Sequence, residues 1–158
     1  MLNDEIASYA KYIIEKSGGP SPYYMEVPQD FVVPAVYFPQ PEISSFPHTL
    51  SGYAIEYAWY VKFFAADSPN AMKMAYDALS AVQEQRNAIP LVNEQGMETG
   101  GILRVKEPVA RVVGEGVAQL YLRWESHWLY DAADVEKVTD IFVETHLKNA
   151  YGIAMERI

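Results

Sequence analysis

An α+β fold, with a mainly antiparallel sheet and helices packed on one of its faces, is predicted by three observations. Two long runs, residues 52–65 and 117–130, alternate apolar with polar or small side chains at the period of a strand. Two others, residues 3–17 and Asp67 to about Arg86, repeat their apolar positions at helical spacing, and a third helix is signalled from Asp131–Asp134 onward. The resulting order is helix, strands, helix, strands, helix, and strands that follow one another directly pair antiparallel.

The first helix has Asn3 as its expected N-cap, with Asp4 and Glu5 at the positive end of the dipole. Leu2, Ile6, Tyr9, Ala10, Ile13 and Ile14 make its apolar stripe, and Ser17-Gly18-Gly19-Pro20 ends it. Prolines at 20, 22, 28, 34, 39 and 41 then leave two short extended pieces, 23–27 and 34–38, expected at strand ends or sheet edges because proline donates no ladder hydrogen bond. Residues 39–52, PQPEISSFPHTLSG, read as a long loop or an extended arm over 39–50.

In the strand 52–65, Tyr53, Ile55, Tyr57, Trp59, Val61, Phe63 and Ala65 are assigned to the core. Glu56, Tyr60, Lys62 and Phe64 fall on the other face, a mixture of charge and aromatic surface. Asp67-Ser68-Pro69 starts the next helix with a capping side chain followed by proline. Its stripe is Met72, Ala75, Leu79 and Val82. GMETGG (96–101) is a break, 102–107 and 109–114 are expected as one strand bulged at Pro108, and Glu115-Gly116 is a turn. In the strand that follows, Ala118, Leu120, Leu122, Trp124, Trp128 and Tyr130 face the core, and Gln119, Tyr121, Arg123, Glu125 and His127 face away. Val135, Val138, Ile141, Phe142 and Thr145 form the stripe of the last helix, and 150–158 is a tail or a short strand.

The chain has 158 residues, half of them hydrophobic and 21% charged, which suits one domain over 1–158 with a substantial core. Twelve tyrosines favour half-buried positions and interfaces, since each joins an apolar ring to a hydroxyl. A net charge of −9 argues against wrapping nucleic acid, which needs clustered cations. There is no cysteine, hence no disulfide framework and no thiolate. With no run that resembles a signal peptide or a membrane span, the expected location is the cytoplasm, without a membrane partner.

Chemistry is weakly signalled. His48, His127 and His146 lack a metal-ligand spacing, and no nucleophile elbow, phosphate loop or dinucleotide fingerprint occurs. Glu56 and Glu125 become neighbours if their strands pair, either as a two-carboxylate site or, with Lys62 and Arg123 close by, as an ion-paired sheet face. No enzyme activity, catalytic residue, metal or cofactor is therefore expected. The stronger signal is surface: Tyr60 and Phe64 on one strand and Tyr121 on the other share a sheet side that no helix is assigned to cover.

A helix, proline-broken strands with a long loop, GYAIEYAWYVKFFA running straight into SPNAMKMAYDALSAVQ, a hairpin ending VAQLYLRWESHWLY and a last helix form a recognisable arrangement. It resembles the tail terminator proteins of long-tailed bacteriophages and of phage-tail-like bacteriocins, in size and element order over most of the chain. The resemblance implies a structural protein of the virion tail, assembled in the host cytoplasm. Such a protein forms a ring, typically a hexamer, that caps the tail tube and meets the head connector, and the sheath where the tail contracts. DNA is then only cargo passing the lumen. Within that frame Glu42, Phe46, His48, Glu56, Tyr60, Lys62, Phe64, Glu94, Met97, Tyr121 and Arg123 are the candidate subunit-interface residues. Another neck or head–tail connector protein is the alternative of the same class. A small-molecule-binding or enzymatic α+β domain, with a deep pocket near Glu125 and His127, is the alternative of a different one.

Overall fold

The computed structural model describes residues 2–131. The helix expected beyond Asp131 and the segment 150–158 lie outside the described residues. Within them the fold is α+β, with mostly antiparallel strands and two helices.

Helix α1 (Leu2–Lys16) begins one residue earlier than its capping signal suggested, because Leu2 already packs against the core. Asn3 is therefore inside the helix. Its end is as expected: Gly18 and Gly19 take φ of +93° and +72°, and Ser17 N and Gly19 N donate to Ile13 O and Ile14 O, both at 2.9 Å. Strands β1 (Ser21–Tyr24) and β2 (Ala35–Phe38) pair in parallel, an exception in the sheet. β2 is not an edge, since it also pairs with β4 (Gly52–Phe64).

The segment expected as a loop or arm is mostly strand. β3 (Glu42–Thr49) forms a hairpin with β4, every one of its residues exposed. Helix α2 (Ser68–Glu84) follows β4 as expected, with Asp67 as N-cap accepting from Asn70 N at 2.8 Å. It buries Ala71, Ala75, Ala78 and Val82, while Met72 and Leu79 pack at the rim of the core.

A second, two-stranded sheet, β5 (Ala88–Val92) with β6 (Glu98–Arg104), occupies the stretch expected as a break. Ser8 Oγ holds it to α1 by accepting from Val92 N at 2.8 Å. β6 and β7 (Lys106–Gly114) are separate strands in different sheets, divided at the buried Val105 and not at Pro108. Pro108 is tolerated because β7 is an edge, and the register slips between Lys106 and Val109.

β8 (Val117–Leu129) completes the main sheet, ordered β1-β2-β4-β8-β7 with β3 beside β4. β4 and β8 pair without a register shift from Gly52↔Leu129 to Phe64↔Val117. Both helices cover one face. Trp124 is the centre of that core: its ring lies 4.5 Å from Tyr9, 5.0 Å from Tyr57 and 6.0 Å from Trp59, all centroid to centroid. Its Nε1 donates to Glu5 Oε2 at 3.0 Å, and Ser126 Oγ donates to Glu5 Oε1 at 2.6 Å. Burial, reinforced by the Glu5 charge, pushes the Tyr9 phenol well above its ordinary range.

Gly116 fixes the β7–β8 turn to the end of β4. Its φ is +66°, Ala65 N donates to its carbonyl at 3.0 Å, and an added Cβ would come within 2.7 Å of Ala65 O. Gly116→Ala should therefore cost about 1–3 kcal/mol, seen as a melting temperature lower by several degrees. Gly114→Ala is the control: its Cβ would meet only the Val117 side chain at 3.8 Å, so its melting curve should match the parent's.

Candidate subunit interface

Register decides which of the candidate residues meet. Even-numbered residues of β4 share a face with odd-numbered residues of β8 and even-numbered residues of β3. Glu42, Phe46 and His48, then Glu56, Tyr60, Lys62 and Phe64, then Tyr121 and Arg123, thus lie together on the sheet face turned away from the helices. Glu94 and Met97 do not join them. They sit in the β5–β6 turn on the helical side, where Lys11 Nζ donates to Gly96 O at 2.9 Å.

The face has a polar end and an aromatic end. At the polar end Glu56 and Glu125 are direct cross-strand partners, a like-charge pairing that costs stability unless each acid is matched. Each is. Arg123 Nε lies 3.5 Å from Glu56 Oε2, and Lys106 Nζ bonds Glu125 Oε1. His127 Nε2 is 3.4 Å from Glu125 Oε2, and its ring stacks on His48 with centroids 4.4 Å apart. The two imidazoles meet across β4 because the residues beneath them are Gly52 and Ala54, and a Cβ at Gly52 would strike Trp128 O at 2.7 Å.

At the aromatic end Tyr60 and Tyr121 are opposed in register, their rings 5.0 Å apart. Phe64 is not bare, contrary to the expectation for this face. Phe31, in the crossover between β1 and β2, covers it at 4.9 Å, and Tyr23 flanks Phe31 at 6.3 Å. Val32 N donates to Tyr23 Oη at 3.2 Å and Tyr37 Oη donates to Met25 O at 2.9 Å, which holds the crossover in place.

This geometry suits ion pairing better than proton transfer. A two-carboxylate hydrolase needs one carboxyl raised so that it keeps its proton. Glu125 moves the other way: the hydrogen bond from Lys106 and the Lys106 and His127 charges outweigh the cost of burial and hold its carboxyl below its ordinary 4.5. The hollow beside the histidines is open, about 310 Å³, and is lined by His48, Thr49, Gly52, Tyr53, His127, Trp128 and Leu129. Among the described residues, no group of three or more His, Asp or Glu side chains is placed to hold a metal ion. Lys106 and Phe31 are the residues that sequence reasoning missed. A bulge re-aims the first, and a crossover folding back over the sheet positions the second.

No family model matches the sequence. Among curated proteins, the phage-like element PBSX protein XkdJ of Bacillus subtilis (strain 168) is 31% identical over 147 residues, 93% of this chain and 100% of that protein. The uncharacterized protein YqbJ of the same organism is 30% identical over 137 residues, 87% of this chain and 93% of that protein. A solved chain from the virion of a native gene transfer agent particle superposes with a TM-score of 0.45 at 16% identity, covering 80% of this chain and 95% of that one. That superposition is too loose to bear on fold or function.

Because the folded-state carboxyl of Glu125 is lowered, the stability its ion pair supplies is present above the unfolded carboxylate range and is lost as pH falls through the folded value. Lys106→Gln should therefore reduce stability at neutral pH and flatten the loss of stability below about pH 5, as read by urea unfolding across pH. An unchanged acid limb would show that the pair contributes nothing.

Proposed function

The chain belongs to the family of the phage-like element PBSX protein XkdJ, and from that premise we propose that it is a structural subunit of a phage-type particle that forms a ring on the end of the tail tube. In this role it stops tube polymerisation and presents a surface to the head connector, and to the sheath in a contractile particle. The observation that carries the proposal is the family membership, joined to a sheet whose second face is covered by no helix among the described residues and, beyond the Phe31 crossover over Phe64, stays open. That face combines an opposed tyrosine pair with matched charges, a composition suited to a protein partner.

The physical requirements of a ring subunit are modest. It needs a rigid scaffold, and the long β4–β8 ladder under two helices supplies one. It needs two different surfaces, since a head-to-tail contact closes into a ring when its rotation closes. It needs no bond-making groups, which agrees with the ion-paired state of Glu56 and Glu125. Among the described residues no helix is long and apolar enough to cross a membrane. Glu42, Phe46, His48, Glu56, Tyr60, Lys62, Tyr121 and Arg123 form the proposed gripping surface. Phe64 acts behind Phe31, and Glu94 and Met97 belong to a separate contact on the helical side.

Electron microscopy of particles assembled without this protein tests the role. Over-long tubes are the expected result. Tubes of normal length that lack heads would instead identify a head–tail connector. A second test uses Tyr60→Ala combined with Tyr121→Ala, which should leave the fold intact, since both rings sit on the outer face, while the tubes lose their length control.

A further inference from the structure

We infer that the segment after β8, residues 132–149, folds back as a helix onto its own sheet and covers the end of β3, β4 and β8 that α1 leaves bare. That segment lies outside the described residues. The inference is independent of the ring reading.

The core runs out along β4 and β8 before the strands do. On the helical side of β4, Tyr57, Trp59, Val61 and Phe63 are buried, but Tyr53 and Ile55 are only half-buried. On the same side of β8, Leu120, Leu122 and Trp124 are fully buried, Trp128 is half-buried and Tyr130 is 45% exposed. Register sets Ile43 beside Tyr57, where it is 56% exposed. The last contact from α1 is the one Glu5 makes with Ser126. Around and past it, Ile43, Tyr53, Ile55, Trp128 and Tyr130 form an apolar and aromatic patch. A hollow of about 300 Å³ lies within it, lined by Ser45, Phe46, Pro47, Tyr53 and Tyr130.

The chain itself carries a matching stripe at this place. Val135, Val138, Ile141, Phe142 and Thr145 share one side of the helix signalled from Asp131–Asp134. From Val135 to Thr145 that stripe is about 16 Å long at helical rise. The patch is about 13 Å from Ser126 to Tyr130 and about 10 Å across its three strands, the footprint of one helix. β8 ends at Leu129, so the connection is a few residues, of the usual length for a helix that returns over the strand it follows. Chemistry selects the side: the outer face of the same rows carries Glu56, Glu125 and His127, which offer nothing to an apolar stripe.

Trp128 adds an independent sign. Its Nε1 is enclosed and has no hydrogen-bond partner, a costly state for a buried donor. Four residues earlier on the same strand, Trp124 Nε1 is met by Glu5 from the first turn of α1. An acid at the start of a docked last helix, Asp134 or Glu136, would meet Trp128 in the same way. The competing seat is the hollow of about 540 Å³ along α1, lined by Ile6, Ala10, Ile14, Tyr24 and Met25 among others. Its end at Tyr24 belongs to β1, three strands away from β8 in the sheet.

Hydrogen–deuterium exchange of the whole chain in solution tests the inference. Residues 132–149 should exchange slowly, at a rate that dilution does not change. Phe142→Asp and, separately, Tyr130→Asp should each speed exchange there roughly tenfold, while 57–64 and 117–124 keep the parent's protection and show the fold intact. The chain has no cysteine, so Ile43→Cys adds a second readout: its labelling by a maleimide should be several-fold faster when Phe142→Asp is also present. Fast exchange of 132–149 in the parent would overturn the inference. Protection that is lost on dilution would assign the patch to a second copy and overturn it too. So would protection that survives Tyr130→Asp, and its loss on Met25→Asp would then seat the segment along α1.

Discussion

The ladder between β4 and β8 is the constraint on which the rest of the structure depends. Each strand has 13 residues and the two are paired along their full length. At roughly 3.3 Å per residue the ladder is about 43 Å long, whereas α1, with 15 residues, reaches only about 22 Å. A helix of that length cannot cover the whole ladder. The Glu5 contacts to Trp124 and Ser126 mark how far α1 reaches, and past them Ile43, Leu50, Leu129 and Tyr130 stand exposed. Because side chains alternate across a strand, the unshifted register also fixes the contents of the second face, which no helix touches among the described residues.

Trp124 couples that ladder to the helical layer. One ring is in contact with Tyr9, Tyr57 and Trp59, while its Nε1 is held by Glu5. Losing such a fully buried indole would cost about 3–5 kcal/mol, a large share of a domain's marginal stability. The core thereby orients the open face without contributing to it. The same division leaves the charges at Glu56, Arg123, Lys106 and Glu125 paired with one another on the outer face, apart from the packing of the helices.

Much of this was legible in the sequence. α1, β4, α2 and β8 are long and strictly periodic, and Asp67-Ser68-Pro69 states its helix start in three residues. The alternation of β4 and β8 also placed Tyr60, Tyr121, Glu56 and Arg123 on one face. β3 was not legible, because both its faces are exposed and it has no apolar alternation to read, although Ser51-Gly52 before an alternating run was a usable hairpin signal. The β5–β6 hairpin was hidden by Pro90 and by Gly96, Gly100 and Gly101. Phe31 over Phe64, Lys106 on Glu125 and His48 on His127 arise from a crossover, a bulge and a three-strand register, none of which leaves a local pattern.

A structural role makes a demand that a catalytic one does not: the open face must be covered when the protein is at work. Cryo-electron microscopy of the intact particle measures this directly. A tube-capping subunit should appear as a closed ring at the head-proximal end of the tube, with Tyr60, Tyr121 and Arg123 buried against a neighbouring subunit. Finding the chain absent from the particle, or present with that face open to solvent, would contradict the structural role proposed for it.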